Sequence, residues 1–112
     1  MGACFNVYND MGTGFLEAVY QECLEIELAF QQIPFVPQKR LELFYRDQKL
    51  EHYYQPDFVC YDKIVLEIKA KEKLIDRDRC QVLNCLSATG FKLGILVNLG
   101  HYPKLEYERI VI

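Results

Sequence analysis

Residues 64–70 read Ile64-Val65-Leu66-Glu67-Ile68-Lys69-Ala70, and this stretch decides the fold. In a β-strand successive side chains point to opposite faces. Ile64, Leu66, Ile68 and Ala70 then share one wholly apolar face, while Val65, Glu67, Lys69 and Lys71 share the other. A Glu and a Lys two apart on a strand are commonly a half-solvated ion pair. What lies upstream decides whether this pair is more than that.

Working back from Ile64, Tyr61-Asp62-Lys63 reads as a polar turn, and Leu50 to Tyr61 as a strand interrupted at Pro56. Arg46 to Lys49 is a second turn. Lys39 to Arg46 alternates with a period of two and reads as a further strand. The three in a row predict an antiparallel meander. Register then follows from the turn. A three-residue loop at 61–63 puts Cys60 opposite Ile64, and hence Asp57 opposite Glu67 on the face of Lys69. A two-residue loop would point Asp57 away. In the first case two carboxylates and an ammonium converge. Paired carboxylates repel, and Mg²⁺ (or Mn²⁺) relieves that repulsion, taking one or two carboxylates, water and substrate phosphate oxygens as ligands. Asp57 and Glu67 are the expected metal ligands. Lys69 is placed where it could orient or deprotonate a metal-bound water or stabilise charge on a phosphate.

The flanks complete the architecture. Residues 3–11 predict a short helix stopped by Gly12, and residues 14–32 a long one with Thr13 and Gly14 at its N-cap. Leu16, Val19, Tyr20, Cys23, Leu24, Ile26 and Phe30 form its broad apolar stripe, and Pro34 and Pro37 end it. Downstream, Asp76 to Thr89 predicts a helix with acids at its positive end and Gly90 as its stop. Leu93 to Leu99 fits a strand buried on both faces, and Leu105 to Ile112 a last strand. The expectation is an α/β fold, one domain over residues 1–112, with a mixed sheet containing an antiparallel three-strand meander and flanked by helices.

Composition narrows the class. The chain has 112 residues, 51% hydrophobic and 26% charged, enough to build a core and incompatible with disorder. No apolar run approaches the ~20 residues of a membrane span, and no basic-then-apolar leader stands at the start. A soluble cytoplasmic protein is expected. The net charge is −3, whereas a DNA-coating protein is usually basic. The five Cys are odd in number and form no C-x-x-C pair, which argues for reduced thiols over a zinc or disulfide framework. His52 and His101 show no metal-ligand spacing.

Pro56-Asp57 followed by Glu67-Ile68-Lys69 resembles the PD-(D/E)-x-K nuclease signature. Gly14-Phe15-Leu16-Glu17-Ala18-Val19-Tyr20 is similar to the G-x-x-E-x-x-Y motif of the small bacterial GxxExxY proteins, a branch of that superfamily. The likeness extends through Gln81-Val82-Leu83-Asn84 and Thr89-Gly90-Phe91-Lys92-Leu93-Gly94. It implies a restriction-endonuclease-like αβββαβ core. It also implies that Lys69 is the catalytic lysine, that Glu17 completes the site from its helix and that Gln81 braces the site or contacts the substrate backbone. The chain departs from the family pattern at Tyr8, Thr13 and Cys85, where His, Pro and Tyr are usual. The first two lie outside the metal set, and the third bears on Gln81. On its own, Glu17 reads first as a structural first-turn acid favoured by the helix dipole, and Tyr20 as a core residue rather than a catalytic one. The run Lys69 to Arg79 carries five basic and three acidic residues. It is either solvated surface or the path of a phosphodiester beside the site, and Glu72 within it is a further contact.

The resemblance therefore implies a Mg²⁺-dependent nuclease acting on nucleic acid, with DNA favoured, water attacking phosphorus in line and no membrane partner. The alternative is an inactive nuclease-fold module binding nucleic acid or protein. A third reading makes the chain one subunit of a larger repair or defence assembly.

Overall fold

The computed structural model describes all 112 residues. Its elements run α1 (Gly2–Met11), α2 (Glu17–Phe30), β1 (Phe35–Pro37), β2 (Leu41–Tyr45), β3 (Gln48–Tyr54), β4 (Phe58–Cys60), β5 (Ile64–Lys69), α3 (Asp76–Thr89), β6 (Leu93–Asn98) and β7 (Glu106–Val111). A five-stranded sheet has the order β1-β4-β5-β6-β7, and β2-β3 form a separate two-stranded hairpin. The β5–β6 pair is parallel, connected through α3, and the other sheet pairs are antiparallel. The fold is α/β, a mixed sheet with helices on both faces.

The faces follow from the alternation in β5. Leu66 and Ile68 pack with Phe58, Val97 and, from α1 and α2, Val7, Tyr20, Leu24 and Leu28. Val65 packs with Leu96 and, from α3, Val82, Cys85 and Leu86, joined by Leu41 of the hairpin. Glu67 and Lys69 thus emerge on the α3 side of the central strand.

The meander needs one correction. Three antiparallel strands are present in the sheet, but the first is β1, a segment that sequence reading took only as the stop after α2. The strand expected at Lys39–Arg46 becomes β2 and pairs with β3, not with the sheet. The strand expected at Leu50–Tyr61 is cut at Pro56, so its first part serves the hairpin and its last part is β4. Proline cannot donate to a ladder, and the break lets one stretch of sequence serve two sheets. Pro37 closes β1, which is an edge strand and tolerates it. The turn also shortens: Arg46 and Asp47 both take positive φ, 50° and 62°, as a tight primed hairpin turn demands.

The second correction concerns α2. It starts at Glu17, not Gly14, and Leu16 occupies its N-cap with no side-chain cap bond, so Thr13 has no capping role. Gly14 has φ +104°, a backbone region that side chains rarely adopt. Residues 12–16 are an irregular connection. It is held by the buried Tyr20, whose hydroxyl donates to the Gly12 carbonyl at 2.6 Å and accepts from the Phe15 N–H at 3.3 Å. The helix ends at Phe30, two residues before the expected stop. α3 spans the expected residues and ends on Gly90 in the left-handed conformation. No helix is long and apolar enough to cross a membrane.

Candidate active site

Cys60 lies opposite Ile64, Val59 opposite Val65 and Phe58 opposite Leu66. The loop therefore has three residues, with Tyr61 and Asp62 both at φ 55°. One step on, Asp57 and Glu67 meet. The Asp57 N–H donates to Glu67 Oε1 at 3.0 Å, and the Ile68 N–H donates to Asp57 Oδ2 at 2.8 Å. Each carboxylate has one oxygen tied to the backbone of the other's strand. Three-residue turn chemistry at 61–63, with a break at Pro56, is what places them there.

The electrostatics record a crowded site. Glu67 is only 7% exposed. Burial, followed by the Asp57 charge, pushes its pKa up to about 8, against the pull of the Asp57 N–H, Lys69 and the Tyr54 hydroxyl. Burial raises Asp57 as well; the Ile68 N–H opposes this, the Glu17 charge adds to it, and Lys69 counters it. Metal-free, the pair is short of positive charge.

Lys69 supplies one such charge. Its ammonium donates to Gln81 Oε1 on α3 at 3.1 Å, so the two residues named from sequence are in contact. Lys71, two residues on, is engaged elsewhere: it bridges the buried Asp78 at 2.9 Å. Asp78 also accepts from the Ile75 N–H at 2.9 Å and so fixes the start of α3. Of the two, Lys69 alone has no carboxylate within ion-pair distance. Glu17 stands exposed in the first turn of α2, close enough for its charge to act on Asp57. One turn along the same helix, Gln21 Nε2 donates to the Asp57 carbonyl at 3.2 Å. Gln21 thus lies on the side of α2 toward Asp57. Glu72 is exposed and its carbonyl faces His101 Nδ1 at 2.7 Å.

Two contributors were not read from sequence. Tyr54, at the root of the hairpin, faces Glu67; burial and then the Glu67 charge drive its hydroxyl's pKa up. Gln21 is the other, and its position four residues after Glu17 is the signal that could have found it. Behind the site, the buried Asn98 accepts from the N–H groups of Lys71 and Gly100 at 3.0 and 3.1 Å and donates to Glu106 at 3.0 Å. This network pins the chain leaving β5. A Cβ on Gly100 would lie 2.5 Å from the Lys71 nitrogen, so the two segments can approach this closely only because that residue is glycine.

The residues fit a divalent cation in one respect that matters. The buried Glu67, pushed toward protonation by its burial and then by the Asp57 charge, and the half-buried Asp57 each keep an oxygen free of backbone bonds. No group of three or more His, Cys, Asp or Glu side chains converges to hold a metal, so water or phosphate oxygens would complete the coordination, as Mg²⁺ prefers. A cavity of about 1010 Å³ lies elsewhere, at the Ile64 and Leu93 ends of β5 and β6. Glu67, buried, and Asp57, half-buried, lie apart from it, near Tyr54 of the hairpin and Cys85 of α3.

No curated protein and no solved structure shows significant similarity to the chain. A family model described as the PD-(D/E)XK nuclease superfamily matches residues 1–110. Since that match spans nearly all of a chain whose Asp57, Glu67 and Lys69 meet as described, the protein belongs to the PD-(D/E)XK nuclease superfamily.

Proposed function

We propose that the protein is a metal-dependent nuclease that hydrolyses phosphodiester bonds, with DNA as its substrate, and that it belongs to the GxxExxY branch of its superfamily. The observation that carries this reading is the convergence of Asp57 and Glu67 beside an ammonium that no carboxylate neutralises. A structural ion pair would leave neither a raised Glu67 nor a Lys69 bound only to a neutral amide. The G-x-x-E-x-x-Y residues each have a physical task that supports the branch. Gly14 provides the positive φ, Glu17 faces Asp57, and Tyr20 ties the connection down.

In this reading Asp57 and Glu67 would hold Mg²⁺ or Mn²⁺, which would supply Lewis acidity toward the phosphate and toward water. Lys69, steadied by Gln81, orients the attacking water and offers positive charge to the phosphate oxygens as negative charge develops. Glu17 adds a carboxylate at the margin and helps orient that water. On the hairpin, Arg46 has no ion pair and stands near the exposed Phe44 and Tyr45, groups suited to backbone charge and base stacking, whereas Lys49 is paired with Glu42 and Arg40 covers the Tyr53 ring.

The test is cleavage of single- and double-stranded DNA and RNA substrates titrated with Mn²⁺ and Mg²⁺, with Lys69→Ala as control. Metal-dependent cleavage lost in that variant is the expected result. No cleavage of any substrate with either ion defeats the reading and leaves an inactive binding module.

A further inference from the structure

The first 38 residues carry five acidic side chains, Asp10, Glu17, Glu22, Glu25 and Glu27, and no Lys or Arg; all thirteen basic residues lie beyond them. This acidity belongs to the α1–α2 layer. None of Asp10, Glu22, Glu25 and Glu27 takes part in an ion pair.

The same layer has a second apolar stripe, half-buried at its middle and exposed at both ends. One side of α2 buries Tyr20, Leu24 and Leu28 in the core. The adjoining side carries Leu16, Val19, Cys23, Ile26 and Phe30, separated by alternating steps of three and four, with Val19 and Cys23 half-buried and Cys23 leaning on the core. Such spacing makes a continuous seam on a helix. Leu16, Ile26 and Phe30 are 77%, 67% and 77% exposed. A helix ordinarily needs one apolar stripe to join its fold, and this one has a second. Beside it runs a groove of about 550 Å³ between α1 and α2, with Val7, Met11, Cys23 and Ile26 among its walls and Asp10 and Glu27 at hand.

We propose that this face is a docking site for a basic amphipathic helix of a protein partner. The seam calls for an apolar stripe at three- and four-residue spacing, and the uncompensated acids call for Lys or Arg beside that stripe. Charge excludes the other occupants. A nucleic acid or an anionic membrane would be repelled, and a second copy would bring the same acids against their like. The surface is independent of the nuclease chemistry, because Ile26 and Phe30 lie at the far end of α2 from Glu17.

The probe is a synthetic peptide of about 20 residues with leucines at the seam spacing and lysines flanking them. Its controls are a glutamate-flanked version and a scramble of the same composition. In fluorescence anisotropy the lysine peptide should bind at least about tenfold tighter than both controls. Ile26→Ser combined with Phe30→Ser should weaken it about tenfold or more, with the melting temperature unchanged because both side chains are exposed. Glu22→Lys with Glu25→Lys, which leaves the apolar seam intact, should transfer preference to the glutamate peptide. Binding equal to the scramble, or undiminished in the serine variant, would overturn the proposal. So would concentration-dependent dimerisation of the wild type that the serine variant abolishes, which would assign the seam to a second copy.

Discussion

Asp57 and Glu67 are coupled through backbone as well as through charge: the Asp57 N–H holds Glu67 Oε1 at 3.0 Å, while the residue after Glu67 holds Asp57 Oδ2 at 2.8 Å. Repulsion between the two side chains therefore cannot be relieved by swinging apart. It must be relieved by a proton or by a cation.

The proton sets the first expectation. Glu67 has its pKa raised from 4.5 to about 8 in the fold. Between these values the folded state holds a proton that the unfolded chain has lost, so stability falls as pH rises. The metal-free protein should be most stable in mild acid and lose up to a few kcal/mol between about pH 4.5 and pH 8. Denaturant melts across that window measure the slope. Glu67→Gln should flatten it.

The cation sets the second. Asp57→Asn removes a repelling charge, yet an Asn carbonyl oxygen can still accept from the Ile68 N–H. The metal-free variant should be at least as stable as the wild type at pH 8. The wild type should gain stability with millimolar Mg²⁺, about 2.7 kcal/mol at a hundredfold excess over Kd, and the variant should not. Thermal melts of both proteins with and without the ion check this. A loss of stability in metal-free Asp57→Asn would instead mark the pair as a structural ion-pair site.

The two lysines of β5 and its continuation should separate chemistry from folding. Lys69→Ala should leave the melting temperature nearly unchanged and reduce cleavage by about 10²–10⁴-fold. Lys71→Ala strands the buried Asp78 carboxylate and should cost about 3 kcal/mol of stability. Parallel cleavage assays and urea melts distinguish them.

Gly100→Ala should lower stability by about 1–3 kcal/mol, because the new methyl meets backbone atoms of Ala70 and Lys71 that cannot rotate aside. Since the displaced segment directly follows Lys69, its cleavage rate should fall at temperatures where it remains folded. Circular dichroism at the assay temperature provides the control.

Much of this site could be read from residues alone, for a definable reason. Side-chain parity in a strand has a period of two, so a single turn length fixes which of Asp57 and Glu67 share a face, and 61–63 has a legible turn. The α3 boundaries were likewise signalled by Asp76, Asp78 and Gly90. Pairing partners were less legible. Residues 41–45 alternate as a sheet strand does, and nothing local tells β2 to fold onto β3 instead of joining β4. That choice depends on β1, whose three residues, following Pro34 and ending on Pro37, are too few to show a period. The start of α2 was misplaced because Thr13 is a good cap, while Tyr20, seven residues on, holds the backbone of Gly12 and Phe15 in a non-helical path.

The departure of the hairpin from the sheet has a consequence for how this chain can vary. Its two ends meet where Gln55 Nε2 donates to the Gln38 carbonyl at 2.8 Å, and the Gln38 N–H donates to the Asp57 carbonyl at 3.0 Å. The sheet sees β1 and β4 as neighbours whatever lies between them. Lengthening a closed excursion of this kind costs only about 0.6 kcal/mol per doubling of its length. Residues 42–53 are thus a cassette whose size and surface can be exchanged, while Leu41 and Tyr54 stay as its anchors in the core and beside Glu67. One carboxylate site could in this way be fitted to different substrates without moving a ligand.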